Sequence, residues 1–421
     1  MKTIIRKFAS GLRLAYNKRE SVRSVGIAVM CGVGSQNETD DTNGLSHFIE
    51  HTYFKGTTTR NAFQIVNEIE SIGATINAYT SKQNTCYYTL SVDSDIEKCA
   101  EILSDIMFNA TFDKDELDKE RKVIIEEINM SEDDNEDLCF DMLGEAYYGK
   151  NTALGRTILG PKENVERFNS DDVRKYLSEN YNAKDIVISI VGNISFEKAV
   201  DIVDRYFEGR FNVIENRLWR TPRLVTKPTY LYKYKDIEQA NITIGMNGCF
   251  DTDKKKYANL VAHEIFGGGM SSRFFQEVRE KNGLAYSVYS YNSAFANNAV
   301  TALYIGTNKK SAEKAVALTK NLIQSIRNEG LSQEEVQKGI NSVRGHFVLG
   351  QESTSAMMRM VGSTALNVDK EFDLDESIDM INSLTRDDVY QAFLNAFDTS
   401  TASIAYVGRE IKTDLLEVFN S

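Results

Sequence analysis

Apolar residues recur along the chain with two periods, one typical of strands and one typical of helices. In the first half, residues 11–35 and the segments TINAYTS and NTCYYTLSV have the short alternation and β-branched content of strands. Apolar positions at helical spacing predict helices over 44–54, 60–72, 95–109 and 113–131. Strands mixed with helices, without a Gly-rich strand-to-helix turn, favour an α+β fold in which helices cover a mixed, mostly antiparallel sheet.

The second half of the chain repeats part of the first. The segment DDVRKYLSENYNAKDIVISIVG, which starts at Asp171, aligns without a gap with DDVYQAFLNAFDTSTASIAYVG, which starts at Asp387. Each copy predicts an amphipathic helix followed by a β-branched strand that ends in Val-Gly. A weaker echo relates FDKDELDKERKVI to LSQEEVQKGINSV. We therefore predict two tandem homologous domains of about 200 residues each.

A proline-containing segment near the midpoint predicts the connection between these domains. Pro222 and Pro228 are two of the three prolines in the chain, and proline favours extended backbone in the residue before it. We place the first domain at 1–209, a linker at 210–228 and the second domain at 229–421.

Composition narrows the class of partner and the compartment. The chain has 421 residues and a net charge of −12, so nucleic acid and anionic membrane surfaces are poor partners, although an acidic surface can simply promote solubility. The five cysteines are scattered and never form CxxC, which argues against a disulfide framework or a thiolate zinc site. Without an apolar run long enough to span a membrane or a signal-peptide core, we expect a cytoplasmic protein.

The clearest chemical motif is GLSHFIEH, which contains two of the four histidines in the chain. On a helix, His47 and His51 are four residues apart and share a face, so both imidazoles can bind one ion. Glu50 lies at the edge of the same face, where a carboxylate can accept a proton from water. The order HxxEH reverses the HExxH of ordinary zincins and is the inverzincin pattern. The isolated histidines His263 and His346 are instead interpreted as structural.

A catalytic zinc needs a third protein ligand, and spacing alone does not identify it. The helix predicted at 113–131 contains many acidic residues, most of which are expected on its solvated side. Glu120 and Glu127 are seven residues apart and share a helix face, whereas Glu126 is rotated by about 100° from Glu127.

Several motifs together resemble the M16 metallopeptidases, the family of pitrilysin and insulin-degrading enzyme, and within it the M16B branch that contains the mitochondrial processing peptidase β subunit and bacterial processing-protease homologues. The matching segments are GLSHFIEHTYFKGT, GATINAYTSKQNTCYY, ERKVIIEEI, LGRTILG and SSRFFQEVREKNGLAYSV. The resemblance implies one Zn²⁺ per chain, with Glu127, 76 residues after His51, as third ligand. It also implies that Glu120 orients a ligating histidine.

The resemblance extends to substrate contacts. It implies that Asn77 and Ala78 lie on an edge strand that pairs with an extended peptide, although an ordinary half-buried strand fits these residues equally well. It also implies that Arg279 and Tyr286 contact the substrate or its reacting carbonyl. From the sequence itself, Arg279 near the end of a helix that stops at Asn282-Gly283 can equally serve the helix dipole.

In M16 enzymes, two double-domain halves enclose a chamber, and this chain has the length of one half. The resemblance thus implies a homodimer, or a heterodimer with an M16-like sister chain, in which Arg279 and Tyr286 serve the partner's zinc. We expect a zinc-dependent endopeptidase acting on unfolded or short peptides. The alternative is a noncatalytic M16-like structural or partner-activating subunit, against which the intact HxxEH argues.

Overall fold

The computed structural model describes residues 2–215 and 221–421, which form two compact units. The first unit comprises 2–128, 157–215 and 348–375, and the second comprises 129–156, 221–347 and 376–421. The strands are Ile4–Lys7 (β1), Arg13–Lys18 (β2), Ser24–Cys31 (β3), Thr75–Thr80 (β4), Thr85–Val92 (β5), Ile186–Gly192 (β6), Tyr230–Tyr234 (β7), Gln239–Asn247 (β8), Ala285–Ala294 (β9), Ala299–Asn308 (β10) and Ser403–Gly408 (β11).

Helices outnumber strands in the described chain. The α-helices are Leu45–Thr52 (α1), Ala62–Glu70 (α2), Ile96–Asn109 (α3), Lys114–Asp133 (α4), Asn135–Tyr148 (α5), Lys162–Arg167 (α6), Ser170–Asn180 (α7), Phe196–Tyr206 (α8), Lys256–Gly267 (α9), Ala312–Glu329 (α10), Gln333–Gly350 (α11), Thr354–Asn367 (α12), Leu374–Asn382 (α13), Arg386–Ala396 (α14) and Leu415–Asn420 (α15). A π-helix spans Phe275–Lys281. The helices and strands predicted for the first half are therefore present, with ends shifted by a few residues.

The sheet of the first unit has the strand order β1-β2-β6-β3-β5-β4. Only the pair β2–β6 is parallel, and the other neighbours are antiparallel. Alternate residues of β3 and β6, among them Ile27, Val29, Ile188 and Ile190, are fully buried in one apolar core with residues of α1, α3 and α8. Strand β4 lies at an edge of this sheet.

The sheet of the second unit has the order β7-β11-β8-β10-β9 and repeats this arrangement. Its one parallel pair is β7–β11, which corresponds to β2–β6, and its edge strand β9 corresponds to β4. One face of the sheet packs on α9, α10, α14 and the π-helix around a second apolar core. The predicted α+β fold with mixed, mostly antiparallel sheets is confirmed.

The repeated segments identified in the sequence have the same structure in both units. Helix α7 leads to β6, and α14 leads to β11, through one turn of 3₁₀ helix in each case. Both helices begin with a capping box, in which Asn169 and Thr385 accept from the backbone N–H three residues later. Both strands end at a glycine with positive φ, Gly192 at +143° and Gly408 at +157°. The two repeated segments therefore agree even in a backbone conformation that glycine alone adopts readily.

Each unit also contains a helix from the other half of the sequence. Helix α5 packs on β8 and β11 of the second unit, whereas α12 packs on β3 and β6 of the first. The division into 1–209 and 229–421 did not include this exchange, because amphipathic helices do not specify which sheet they cover. The predicted linker at 210–228 includes 216–220, which lie outside the described residues. In the described chain, no helix has both the length and the apolar character needed to cross a membrane.

Candidate metal centre

Helix α1 carries the HxxEH motif and begins at a polar network. Gly44, at φ +99°, precedes its first residue, in a conformation that favours glycine. The buried carboxylate of Glu38 accepts from the backbone N–H of Gly44 at 2.9 Å and of Ser46 at 2.7 Å. Asn43 donates to the same carboxylate and to the carbonyl of Thr157. These hydrogen bonds fix the start of α1, just before the residues of the HxxEH motif. They also place an acidic side chain at the positive end of the helix.

The structure brings His47, His51 and Glu127 together at one point. The two Nε2 atoms lie 3.2 Å apart, and Oε2 of Glu127 lies 3.6 Å from His47 Nε2 and 3.2 Å from His51 Nε2. A tetrahedral zinc ion with bonds of 2.0–2.1 Å holds its ligand atoms about 3.3 Å apart. The three donor atoms thus have the spacing of one face of a zinc tetrahedron.

The character of these groups also fits a zinc ion. Burial, and then the neighbouring His51, lower the pKa of His47 to about 3, so its imidazole is neutral, as a metal ligand must be. The side chain of Glu127 is 40% exposed, which leaves a path from solvent to the three donors. Within residues 2–215 and 221–421, this is the one group of at least three His, Cys, Asp or Glu residues with ligand atoms close enough to share an ion.

Glu120 forms a hydrogen bond with Nδ1 of His51, the ring nitrogen that is not among the three donor atoms. Its Oε1 lies 2.9 Å from His51 Nδ1, and its Oε2 lies 2.5 Å from the ammonium of Lys55. Burial raises the pKa of this carboxyl, but the hydrogen bonds with His51 and Lys55 outweigh that effect and lower it. An ionised Glu120 fixes the Nδ1–H tautomer of His51 and leaves Nε2 free to bind metal.

Glu50 lies beside the three donors with a hydrogen bond of its own. Thr80, the last residue of β4, donates its hydroxyl to Glu50 Oε2 at 2.5 Å. Burial raises the pKa of Glu50, and the negative charge of Glu127 raises it further. A carboxylate with a raised pKa in this position is suited to accept and return a proton.

Strand β4 contains Asn77 and Ala78, and in the described chain it pairs with β5 alone. Asn77 is exposed, and its side-chain oxygen accepts the backbone N–H of Ala78 at 2.8 Å. That N–H is therefore not used in the ladder with β5. The strand has a free edge on which an extended peptide could form backbone hydrogen bonds.

Arg279 and Tyr286 lie in the second unit. Arg279 is in the π-helix, where its guanidinium lies over the ring of Phe275 at 4.7 Å, and Tyr286 is half exposed near the start of β9. Gly283, at φ +60°, ends the helical segment by donating to the carbonyl of Arg279. The helix end predicted at Asn282-Gly283 is thus present. The helix is of the π type, which sequence periodicity does not distinguish from an α-helix.

The two remaining histidines differ from one another. His263 is fully buried, with its ring nitrogens 3.1 Å from Ser290 Oγ and 3.3 Å from Thr301 Oγ1, as expected for a structural histidine. His346 is exposed on α11, so its interpretation as a structural group was wrong. Its helical position placed it on the solvent side rather than in the core.

Sequence reasoning missed the residues that hold the motif in place. Glu38 and Asn43 fix the start of α1, Thr80 binds Glu50, and Lys55 neutralises Glu120. These contacts join residues up to 114 positions apart, and none has a spacing that marks it. The one available signal was that Thr80 ends the strand already assigned to substrate binding.

Comparison with known proteins places this chain in a family. Residues 13–162 match the model of insulinase, peptidase family M16, and residues 167–343 match the model described as peptidase M16 inactive domain. The chain is 36% identical to the uncharacterized zinc protease YmxG of Bacillus subtilis, over 89% of this chain and 91% of that protein. It is 34% identical to the uncharacterized zinc protease SCO5738 of Streptomyces coelicolor, over 90% of this chain and 84% of that protein.

Solved structures share the fold at lower identity. A peptidase M16 inactive domain from Pseudomonas fluorescens superposes with a TM-score of 0.89 at 16% identity, covering 98% of both chains. A protease from Helicobacter pylori has a TM-score of 0.86 at 19% identity, covering 96% of this chain and 99% of that one. With both family models matched and whole-length relatives above 30% identity, the chain belongs to peptidase family M16.

Proposed function

We propose that this protein is a zinc-dependent endopeptidase whose metal is bound by His47, His51 and Glu127. The observation that carries the proposal is the triangle of donor atoms at zinc spacing, with the carboxylate of Glu50 beside it. A zinc ion bound there supplies a Lewis acid that polarises the scissile carbonyl and lowers the pKa of water.

The side chains around the site have separate tasks. Glu50 takes the proton of the attacking water and returns it to the leaving amine. Thr80 holds one oxygen of Glu50 and so directs the other towards the water. Glu120 keeps His51 in the tautomer that presents Nε2 to the ion.

The free edge of β4 favours an extended substrate. A peptide added alongside Asn77 and Ala78 is held through its backbone, which gives affinity with little dependence on sequence. Folded proteins rarely present such a free segment, so the proposed substrates are short or unfolded peptides. Binding requires the side chain of Asn77 to release the N–H of Ala78.

The activity is tested with a peptide library and mass spectrometry. Purified protein is stripped of metal, then measured without metal, with one equivalent of Zn²⁺ and with one equivalent of Mg²⁺. We expect internal cleavage of many peptides with zinc alone, because Mg²⁺ prefers six oxygen ligands. Zinc binding without cleavage of any peptide would favour the noncatalytic subunit instead.

We also propose that the active form is a dimer in which Arg279 and Tyr286 act at the partner's zinc. Light scattering measures the mass, and mixing two inactive variants tests the arrangement. Glu50→Gln and Arg279→Ala chains, when combined, regain activity only if one chain supplies the base and the other supplies the arginine. Failure to regain activity in a verified mixed dimer would assign both groups to the same chain.

For the compartment, we propose the bacterial cytoplasm. All five cysteines are free and buried, and the relatives described above are bacterial. Free thiols persist most readily under reducing conditions. Fractionation of the source cell, with antibody detection, tests this location.

A further inference from the structure

Strand β9 is interrupted beside Tyr286. Along most of the β9–β10 ladder the pairing is regular, and Ser287 opposes Gly306. The next residue of β10, Thr307, opposes Ala285, so Tyr286 is an extra residue without a partner opposite it. This is a β-bulge, a feature that changes the direction of a side chain and is common next to active sites.

The bulge changes the face on which Tyr286 lies. Beyond it, Val288 belongs to the apolar core, whereas Tyr289 and Tyr291 contact Phe140 of α5 on the opposite face. Regular alternation would place Tyr286 on the core face with Val288. Instead Ala285 lies on the core face, and the half-exposed ring of Tyr286 lies outside the apolar core.

Gly306 provides the space into which the ring turns. A Cβ atom on Gly306 would lie 3.0 Å from both Cζ and Oη of Tyr286, closer than ordinary van der Waals contact. Gly306 is two residues from Tyr304 and shares its sheet face. The absence of a side chain at this one position therefore sets where the hydroxyl of Tyr286 lies.

The surroundings hold this arrangement in place. The hydroxyl of Thr307 donates to the carbonyl of Leu284, across the start of the bulge. Tyr304 donates to the buried amide oxygen of Asn241 at 2.7 Å, and Gln239 donates to the same oxygen at 2.8 Å. The strand segment that flanks Gly306 is thus fixed by hydrogen bonds on both sides of the glycine.

We propose that the β-bulge at Tyr286 and the bare backbone of Gly306 together position the Tyr286 hydroxyl for the reaction. Gly306 is a positioning residue that acts through Tyr286. The inference rests on the proposed function, in which Tyr286 contacts the substrate at the partner's zinc. It adds to that function the two backbone features that make the contact possible.

The test introduces a methyl group at this position. Gly306 has ordinary strand conformation, and its close neighbour is the movable end of a side chain, so Gly306→Ala is expected to fold. Displacing a reacting group by about 1 Å lowers rates by up to about 100-fold, so we expect kcat to fall about 10- to 100-fold with KM changed less than about twofold. The matched control is Gly245→Ala, which adds the same methyl group to the same sheet against Leu143 and Val300.

A double-mutant cycle separates positioning from a general structural effect. Tyr286→Phe alone is expected to lower kcat by about 100-fold, as the loss of one oxyanion donor does. In the Tyr286→Phe background, Gly306→Ala is expected to have no further effect, because no hydroxyl remains to be misplaced. The wild type, the two single variants and the double variant are measured as full chains with equal zinc content, on a peptide taken from the library.

The outcomes distinguish this inference from the function beneath it. An unchanged kcat in Tyr286→Phe would overturn both the role of Tyr286 and the positioning. If Tyr286→Phe is impaired but Gly306→Ala is additive with it, or has no effect alone, only the positioning is overturned. If Gly306→Ala does not fold, Thr307→Val replaces it in the same cycle, because it removes the hydroxyl that pins the bulge.

Discussion

Replacing Glu120 with glutamine tests whether the hydrogen bond between Glu120 and the metal ligand His51 supports zinc binding. The carboxylate of Glu120 serves two donors at once, His51 Nδ1 at 2.9 Å and Lys55 Nζ at 2.5 Å, and its side chain is only 8% exposed. A glutamine of the same shape has one accepting oxygen and one donating nitrogen. It can therefore satisfy His51 or Lys55, but it turns N–H groups towards the other.

The size of the effect follows from these contacts. Each hydrogen bond to a charged group contributes about 1.5 to 3 kcal/mol, and the substitution removes one of two together with the charge. Loss of a partner that orients a ligating histidine lowers metal affinity about 10- to 100-fold. We expect a loss of about 1.4 to 2.8 kcal/mol in the free energy of zinc binding.

The assay is competition for Zn²⁺ with a chromophoric chelator at pH 7.5, with the wild-type protein and both variants side by side. The control is Glu126→Gln, the same change on an exposed residue of the same helix. Equal zinc affinity in all three proteins would refute the role assigned to Glu120. An equal loss in both variants would attribute the effect to the charge of α4 rather than to His51.

Three other substitutions probe contacts that the structure shows and the sequence does not reveal. Thr80→Val should leave zinc content unchanged and lower kcat about 10-fold, since Glu50 loses the hydroxyl that orients it; a wild-type kcat would count against this. Glu38→Gln should lower the free energy of unfolding by about 1 to 2 kcal/mol in urea titration, because the amide nitrogen of glutamine cannot accept a hydrogen bond from the backbone N–H groups at the start of α1; an unchanged midpoint would remove that role. The Arg273 guanidinium lowers the pKa of Glu335 from 4.5 to about 2, so this ion pair stabilises the fold above pH 4.5, and the stabilisation is lost as the pH falls towards 2. Glu335→Gln should accordingly lower stability by about 1 to 2 kcal/mol at pH 7, allowing for partial exposure, with a gap to the wild type that narrows below pH 4.5; a gap independent of pH would contradict the pairing.

Periodicity was sufficient to predict most of the first-half elements because each has a clear apolar face. The 216-residue offset between Asp171 and Asp387 also indicated two related domains, and the matching α7–β6 and α14–β11 segments agree with it. The exchange of α5 and α12 between the units was not predictable. An amphipathic helix carries the same pattern whichever sheet it covers, so only the tertiary contacts decide.

The candidate site likewise contains residues that the sequence identified and residues that it did not. His47, Glu50 and His51 could be identified because four-residue spacing on a helix is visible in the sequence. The assignment of Glu127 as the third ligand depended on the resemblance to M16 enzymes, since many carboxylates on α4 have the same chemistry. For Thr80 the only signal was its place at the end of the predicted substrate-binding strand, and for Gly306 there was none, because their contacts arise from the pairing of strands and from the position of a bulge.

The central claim is that Glu50 is the base of a zinc peptidase, and the rate of Glu50→Gln at matched zinc occupancy tests it most directly. Both proteins are loaded with one equivalent of Zn²⁺, verified by metal analysis, and measured on one library-derived peptide under single-turnover conditions. We predict that the variant binds zinc as the wild type does, since Glu50 is not among the three donors, and that cleavage falls by at least about 100-fold. Cleavage at the wild-type rate by the zinc-loaded variant would contradict the account.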